Sequence, residues 1–377
     1  MSAIYIHVPF CRRRCHYCDF HFSTNTHQID AMVEALCKEI FLRNNYLPDV
    51  HLNSIYFGGG TPSMLSLRHL HLIFDALAKY YQWTPATEIT LEANPEDINR
   101  MRLTEWKSVG INRLSIGIQS FDAEKLLFMN RAHTPEEAIR CIKEAQDQAF
   151  TRLSIDLIYG LPHANHSVLE HDLMQVLSLR IPHISAYCLT IEPRTAFGKW
   201  SREKKMPLIS EDFAAEQFER VSEVLLENAY EQYEISNFAQ QKQYSQHNSH
   251  YWKKGAYLGI GPSAHSYNLR QRHYAISNNA QYVKILAQNQ LPLEEEFLTV
   301  EDHINEYVLT SLRTVWGCDS NYIKKQWDFD WFVLHKNYLL EYENKGFLWI
   351  ENGVVGLHKK GKLLADKIAS DLFLISS

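Results

Sequence analysis

The chain has 377 residues, 45% hydrophobic and 22% charged, the balance of a soluble globular protein with room for two or three domains. A net charge of −6 gives no general attraction for nucleic acid or anionic lipid. No apolar run approaches the roughly 20 residues of a membrane span, and the N-terminus lacks a charged and then apolar secretory signal, so a cytoplasmic protein is expected.

The first strand is predicted at Ala3–Val8, within an apolar run from Ile4 to Phe10. It leads into Cys11-Arg12-Arg13-Arg14-Cys15-His16-Tyr17-Cys18, a C-x3-C-x2-C array. Iron–sulfur clusters are usually held by four thiolates, so three in so short a span point to a four-iron cluster with one iron open. An open coordination position is where a metal site does chemistry on a ligand. A zinc knuckle, with His16 or His21 as fourth ligand, is the structural alternative. Phe10, Tyr17, Phe20 and Phe22 would shield a cluster from water. The three arginines either offset its charge or form a solvated loop face. The other cysteines, Cys37, Cys141, Cys188 and Cys318, stand singly among apolar residues and are expected as buried core thiols.

Short β-rich runs then alternate with helical patterns. Strands are expected at Ser54–Phe57, Glu88–Ala93, Arg113–Ile118, Leu153–Ile158 and His183–Thr190, with helices at Asp30–Arg43, Leu67–Tyr80, Pro135–Gln148 and Ser167–Leu179. Such alternation implies a parallel sheet, either doubly wound or a partial barrel, with functional residues at the C-terminal strand ends. Gly58-Gly59-Gly60-Thr61-Pro62 follows the second strand. Its glycines let the backbone approach a ligand closely, and it lacks the Lys-Ser/Thr pair of a phosphate loop.

After Pro193 the alternation stops. An amphipathic helix is expected at Glu211–Asn228 and a strand at Tyr233–Ile235, followed by a polar Gln/Ser/His stretch to His250. From about Thr299, helices at Glu301–Thr314, Tyr322–Gln326 and Trp331–Asn344 precede a hairpin, Phe347–Ile350 and Val354–Leu357, turned by Asn352-Gly353. A last helix is expected at Gly361–Phe373. The divisions implied are residues 1–235, a connecting region 236–298, and a small winged-helix-like unit 299–377.

Together, C-x3-C-x2-C after the first strand and GGGTP after the second resemble the radical S-adenosylmethionine (SAM) superfamily. The resemblance narrows through Ile6-His7-Val8-Pro9-Phe10-Cys11 and Tyr17-Cys18-Asp19-Phe20 to the oxygen-independent coproporphyrinogen III oxidase family and its haem-chaperone branch, over essentially the whole chain. It implies an α/β fold, a partial (β/α)6 barrel followed by a linker region and a small C-terminal winged-helix-like α+β domain. It also implies a [4Fe-4S] cluster on Cys11, Cys15 and Cys18 and one or two SAM molecules. Tyr5, Gly59 and Glu92 match the first SAM site. Tyr17, Gly60, Thr61, Gln119, Arg131 and Asp156 match the second, and Thr190 and His265 are further matching positions.

Three departures favour the chaperone branch. The oxidase pattern carries another cysteine where this chain has Phe20, and an N-terminal extension where this chain has ten residues before Cys11. His247-Asn248-Ser249-His250-Tyr251-Trp252 matches the HNxxYW signature linked to haem. An imidazole can ligate iron, and Tyr251 and Trp252 offer flat apolar surface. His250 is the first candidate ligand and His247 the second. The implied function is haem delivery to respiratory haem proteins, with transient docking at the inner membrane through such a partner; a homodimer is compatible with it. Porphyrinogen oxidation and radical modification of nucleic acid are the alternatives. Nucleic acid is not expected as a partner, since Lys359-Lys360-Gly361-Lys362 is the only basic run in the last unit.

Overall fold

Side-chain alternation along the strands sets the architecture. In β1 (Ser2–Val8), Ile4, Ile6 and Val8 are buried on one face, while Tyr5 and His7 lie on the other. The same pleat runs through β2 (Leu52–Gly59), β3 (Glu88–Ala93), β4 (Arg113–Gln119), β5 (Arg152–Tyr159) and β6 (His183–Cys188). Ile55, Phe57, Ile89, Leu91, Leu114, Ile116, Leu153, Ile155 and Ile184 join the apolar face and its core. Ser54, Tyr56, Glu92, Ser115, Asp156 and Ser185 fall on the polar face. The computed structural model describes residues 1–207 and 210–375, and in it these six strands pair in parallel, in sequence order.

Helices α1 (Ile29–Leu42), α2 (Leu67–Ala78), α3 (Arg100–Ser108), α4 (Ala123–Phe128), α5 (Pro135–Asp147) and α6 (Ser167–Ser178) fill the crossovers. Their starts are encoded locally. Ser66 caps α2 in a capping box with His69, and Thr134 caps α5 with Glu137 and Pro135 in its first turn. After α7 (Ala196–Arg202) and α8 (Glu211–Glu227), β7 (Tyr230–Gln232) and β8 (Asn237–Gln240) extend the sheet antiparallel beyond β6.

Residues 236–298 do more than connect. Besides β8 they form α9 (Gln246–Trp252), β9 (Tyr257–Ile260), β10 (His265–Tyr267), β11 (Gln271–Ala275), α10 (Asn279–Ala287) and β12 (Leu293–Phe297). β9 pairs parallel to β1 and the next three strands continue antiparallel, giving one 12-stranded sheet. Strands of three to five residues carry too little periodicity to be read in advance. The strand expected at Tyr233–Ile235 lies earlier, as β7, and residues 233–235 form the turn into β8.

The last segment builds its own core around Ile304, Val308, Trp331, Leu339, Val355 and Ile368. It comprises α11 (Val300–Leu312), β13 (Cys318–Asp319), α12 (Ser320–Trp327), α13 (Trp331–Asn344), β14 (Leu348–Glu351) and β15 (Val354–Leu357). Asn352 and Gly353 turn the hairpin with φ of 52° and 82°, the left-handed pair of a type I′ turn. The single helix expected at Gly361–Phe373 is two shorter ones, α14 (Lys359–Lys362) and α15 (Ala365–Asp371).

One buried ion pair ties the added strands to α1. Arg43 sits 3.0 Å from Glu39 and also donates to the Gly259 carbonyl at 2.8 Å and the Ser266 hydroxyl at 2.9 Å. Glu39 in turn accepts from the Gly261 N–H at 2.8 Å and from the Tyr282 hydroxyl. Removing one partner leaves a buried charge unpaired. Arg43→Ala should therefore lose about 3–5 kcal/mol of stability in denaturant unfolding, with Arg43→Met/Glu39→Gln losing less; equal stability of Arg43→Ala and wild type would contradict this account.

Candidate functional site

The cysteine loop leaves β1 and is pinned from several sides. Arg12 donates twice to Asp97, at 3.0 and 2.8 Å, and Ser63 after the glycine loop donates to the same carboxylate at 2.7 Å. Asn130 donates to the Arg14 carbonyl at 2.8 Å, and the His16 ring lies 4.7 Å from Trp200. Arg12 is thus a clamp between loops, while Arg13 is exposed. Cys11, Cys15 and Cys18 are free and half-buried. Burial pushes the Cys11 thiol up to about 12 and Cys18 to about 11, so a metal there would have to displace their protons. Arg131 donates to the Cys15 sulfur at 3.4 Å. Three thiols free of disulfides on one loop beside a guanidinium fit a thiolate-held cluster. Among the described residues no three His, Cys, Asp or Glu side chains converge as a single metal ion would need. Phe20, expected to shield the array, is 73% exposed. Of the remaining cysteines Cys141 and Cys318 are buried, Cys37 is half-buried and Cys188 is exposed at the end of β6, contrary to the expected core position.

The glycine loop lies against this segment. Gly59 has φ of +104°, and a Cβ there would sit 2.7 Å from the His7 ring. A Cβ on Gly60 would meet the Phe10 carbonyl at 2.6 Å and the Val8 carbonyl at 2.8 Å. Only glycine lets the two loops touch. The Gly59 N–H donates to Glu92 at 3.2 Å, and the Tyr56 hydroxyl donates to the same carboxylate at 2.8 Å. Burial raises Glu92 to about 8, and the nearby Asp156 adds to the rise. Asp156 is itself raised to about 6 by burial, with the Ser185 and Ser115 hydroxyls pulling it back.

Arg131 also donates to Asn94 at 2.7 Å and to the Gly117 carbonyl at 2.6 Å, leaving its buried Nε without a partner. Asn94 reaches Thr61 at 3.3 Å. Gln119 stands at a register shift between β4 and β5 with φ of 68°, a bulge of the kind found beside functional sites. The structure therefore gathers Cys15, Arg131 and Thr61 at one end of the barrel, with Gly59 and Glu92 bonded beside them. Thr190 stands apart, exposed after β6, with its hydroxyl turned to the Cys188 carbonyl. Tyr56 and Asn94 were not singled out from the sequence. Their signal was strand parity, since Tyr56 shares the inward face with Ser54 and Gly58.

The HNxxYW segment is α9. His247 is buried, and both its ring nitrogens are taken: Nδ1 pairs with Ser54 Oγ and Nε2 with Tyr251 Oη, each at 2.8 Å. With both nitrogens in use it offers no ready lone pair for iron, which counts against it as a haem ligand. His250 uses Nε2 on the Ala256 carbonyl at 2.8 Å, and its ring packs against Gly255. Tyr251 and Trp252 instead line a cavity of about 460 Å³, bounded also by Phe20, His265, Lys254 and Arg272. Lys254 and Arg272 share Glu306 of α11, Lys254 at 3.2 Å. Tyr5 reaches the cavity from β1, and His265 from β10 is exposed.

The radical SAM superfamily profile matches residues 5–175. The chain is 31% identical over 373 residues to the heme chaperone HemW of Bacillus subtilis (strain 168), covering 98% of each. It is 30% identical to the HemW of Lactococcus lactis, over 99% of this chain and 97% of the relative. It is 37% identical to that of Escherichia coli (strain K12), over 70% and 69%. The solved structure of coproporphyrinogen III oxidase (HemN) from Escherichia coli, a radical SAM enzyme, superposes with a TM-score of 0.85 over 99% of this chain and 90% of that one, at 24% identity. The α/β fold with its parallel barrel strands is the fold of that structure. The chain thus belongs to the radical SAM superfamily and, within it, to the HemW family.

Proposed function

We propose that this chain is a haem chaperone that binds a [4Fe-4S] cluster, SAM and haem, and passes haem to respiratory haem proteins. The observation that carries the reading is the cavity of about 460 Å³ beside the cysteine loop, walled by Tyr251, Trp252 and Phe20. Its volume is that of a small-molecule site, and its aromatic wall with a few polar groups suits a flat apolar ligand. Lys254 and Arg272 would face the propionates of haem. Relatives named heme chaperones cover nearly the whole chain, which supports haem as the cargo.

Cys11, Cys15 and Cys18 would hold the cluster. Tyr5, Gly59 and Glu92 would hold one SAM, and Tyr17, Gly60, Thr61, Gln119, Arg131 and Asp156 a second. When bound, the cluster and SAM would supply reductive one-electron chemistry next to the cavity. The protein's own part is positioning. Glu92 takes an ammonium group and Arg131 a carboxylate through its unpartnered Nε, while the two glycines let their loop close on the cysteine loop. Of the histidines lining the cavity, His7 is bonded at both ring nitrogens and His21 holds Asn279 through Nε2 at 2.7 Å, whereas the His265 ring meets the edge of the Tyr274 ring at 4.7 Å. His265 is therefore better placed than His250 to ligate iron.

The chaperone reading is tested by anaerobic incubation of the reconstituted chain with coproporphyrinogen III, SAM and a reductant. No protoporphyrinogen should form, and product at catalytic turnover would overturn the reading. Haem should bind, with His265→Ala shifting its absorption bands and His250→Ala leaving them in place; the reverse pattern would restore His250 as the ligand. Glu92 adds a pH dependence. The free side chain is neutral below about 8, and an ammonium ligand needs its anion, so SAM binding must release that proton. Titration calorimetry should show SAM affinity rising about tenfold per pH unit below that value. A Glu92→Gln variant should bind weakly at every pH, and a wild-type profile in that variant would remove Glu92 from the site.

A further inference from the structure

α9 faces two ways. On one side the His247 ring stacks on Tyr56 at 4.8 Å and 24°, and Tyr56 donates to Glu92, which accepts from Gly59. On the other side His247 holds the Tyr251 hydroxyl, with the two rings edge to face at 4.7 Å, and Tyr251 forms part of the cavity wall. The imidazole is fixed from below as well, by Ser54 at Nδ1 and by the Glu88 carboxylate, which accepts the His247 backbone N–H at 3.0 Å. A neutral imidazole has one donor and one acceptor nitrogen, and both are in use. Burial holds His247 neutral, down to about 3. The ring cannot shift toward Tyr251 without loosening its stack on Tyr56.

We propose that His247 is a positioning residue shared by two sites: it fixes Tyr251 at the cavity wall and Tyr56 with Glu92 at the glycine loop, so that a ligand at either site changes affinity at the other. The identity of the two ligands, haem and SAM, rests on the chaperone reading. The coupling has a physical carrier in a chain of packed, hydrogen-bonded side chains, Tyr251, His247, Tyr56 and Glu92. By linkage it must be reciprocal.

The test uses the full-length, anaerobically reconstituted chain with three measurements: SAM affinity alone, haem affinity with and without SAM, and the haem absorption spectrum. In the wild type SAM should change haem affinity by about fivefold or more, and haem should change SAM affinity by the same factor. Tyr251→Phe keeps the ring and removes the hydroxyl, so it should fold normally while the factor falls towards one. His247→Ala should do the same and weaken SAM binding in the absence of haem, with the haem bands unmoved. Three results would each overturn the proposal: shifted haem bands in His247→Ala, which would make it a ligand; an undiminished factor in Tyr251→Phe; or independent binding of SAM and haem in the wild type. Absence of haem binding would instead sink the chaperone reading. Even then, SAM affinity in His247→Ala equal to wild type would separately overturn the positioning role.

Discussion

A polar side chain turned into the barrel must find its partner there, because bulk water does not reach it and an unpaired buried group costs several kcal/mol (roughly 2–7). The pleat turns Ser54, Glu88, Arg113, Ser154 and His183 inward near the N-terminal ends of the strands, all of them buried. They pair partly with one another and partly with residues outside the six β/α units. His183 bridges Ser154 at 2.7 Å and the Tyr233 hydroxyl at 2.8 Å, while Glu88 faces Arg113 at 3.8 Å and accepts the backbone N–H of His247. The barrel floor is therefore finished by residues 233–247. Without them Ser54, His183 and Glu88 would each lose a hydrogen-bond partner.

The opposite end of the barrel obeys the same constraint with a different outcome. There Arg131 holds Asn94 and the Gly117 carbonyl, Glu92 accepts from Tyr56 and the Gly59 N–H, Asp156 accepts from Ser115, and both carboxylates are raised by burial. These side chains are held in place by the protein's own hydrogen bonds, so little ordering remains for binding to supply. Gly59 and Gly60 admit the cysteine loop and Arg12 fixes it through Asp97, so the loop bearing the thiols and the loop bearing the glycines form one rigid unit.

What could be read in the sequence was whatever is written over a few neighbouring residues. Cys11 to Cys18 and Gly58 to Pro62 announce their chemistry within one turn of chain, and the apolar strands with capped helices between them announce a parallel sheet. The Asn352-Gly353 hairpin was legible for the same reason. What was hidden depends on distant partners. The ring of His247 is settled by Ser54, 193 residues away, and Arg12 by Asp97, 85 residues away. β8 to β12 are too short to show a period, so the sheet extends well past the six expected strands. Phe20 reads as a shield for the thiols on hydrophobicity alone, yet it lies exposed at the cavity rim.

The cavity and the Glu92–Arg131 site therefore differ in how firmly they are set. The cavity is walled by pieces from five separate stretches: β1, the residues after Cys18, the end of α9 with the turn after it, β9 to β11, and α11. Lys254 and Arg272 are committed to one carboxylate, Glu306, on α11 of the small C-terminal unit. On the chaperone reading, a dicarboxylate cargo has to draw these cations from Glu306, replacing one shared partner by two. Its binding would then oppose the seating of α11, and reseating α11 would favour release. A site built this way exchanges ion pairs instead of burying new ones, which keeps retention of the cargo modest. Modest retention suits a protein that must give its ligand up, whereas the tightly bonded Glu92 and Arg131 suit one that must keep its cofactor.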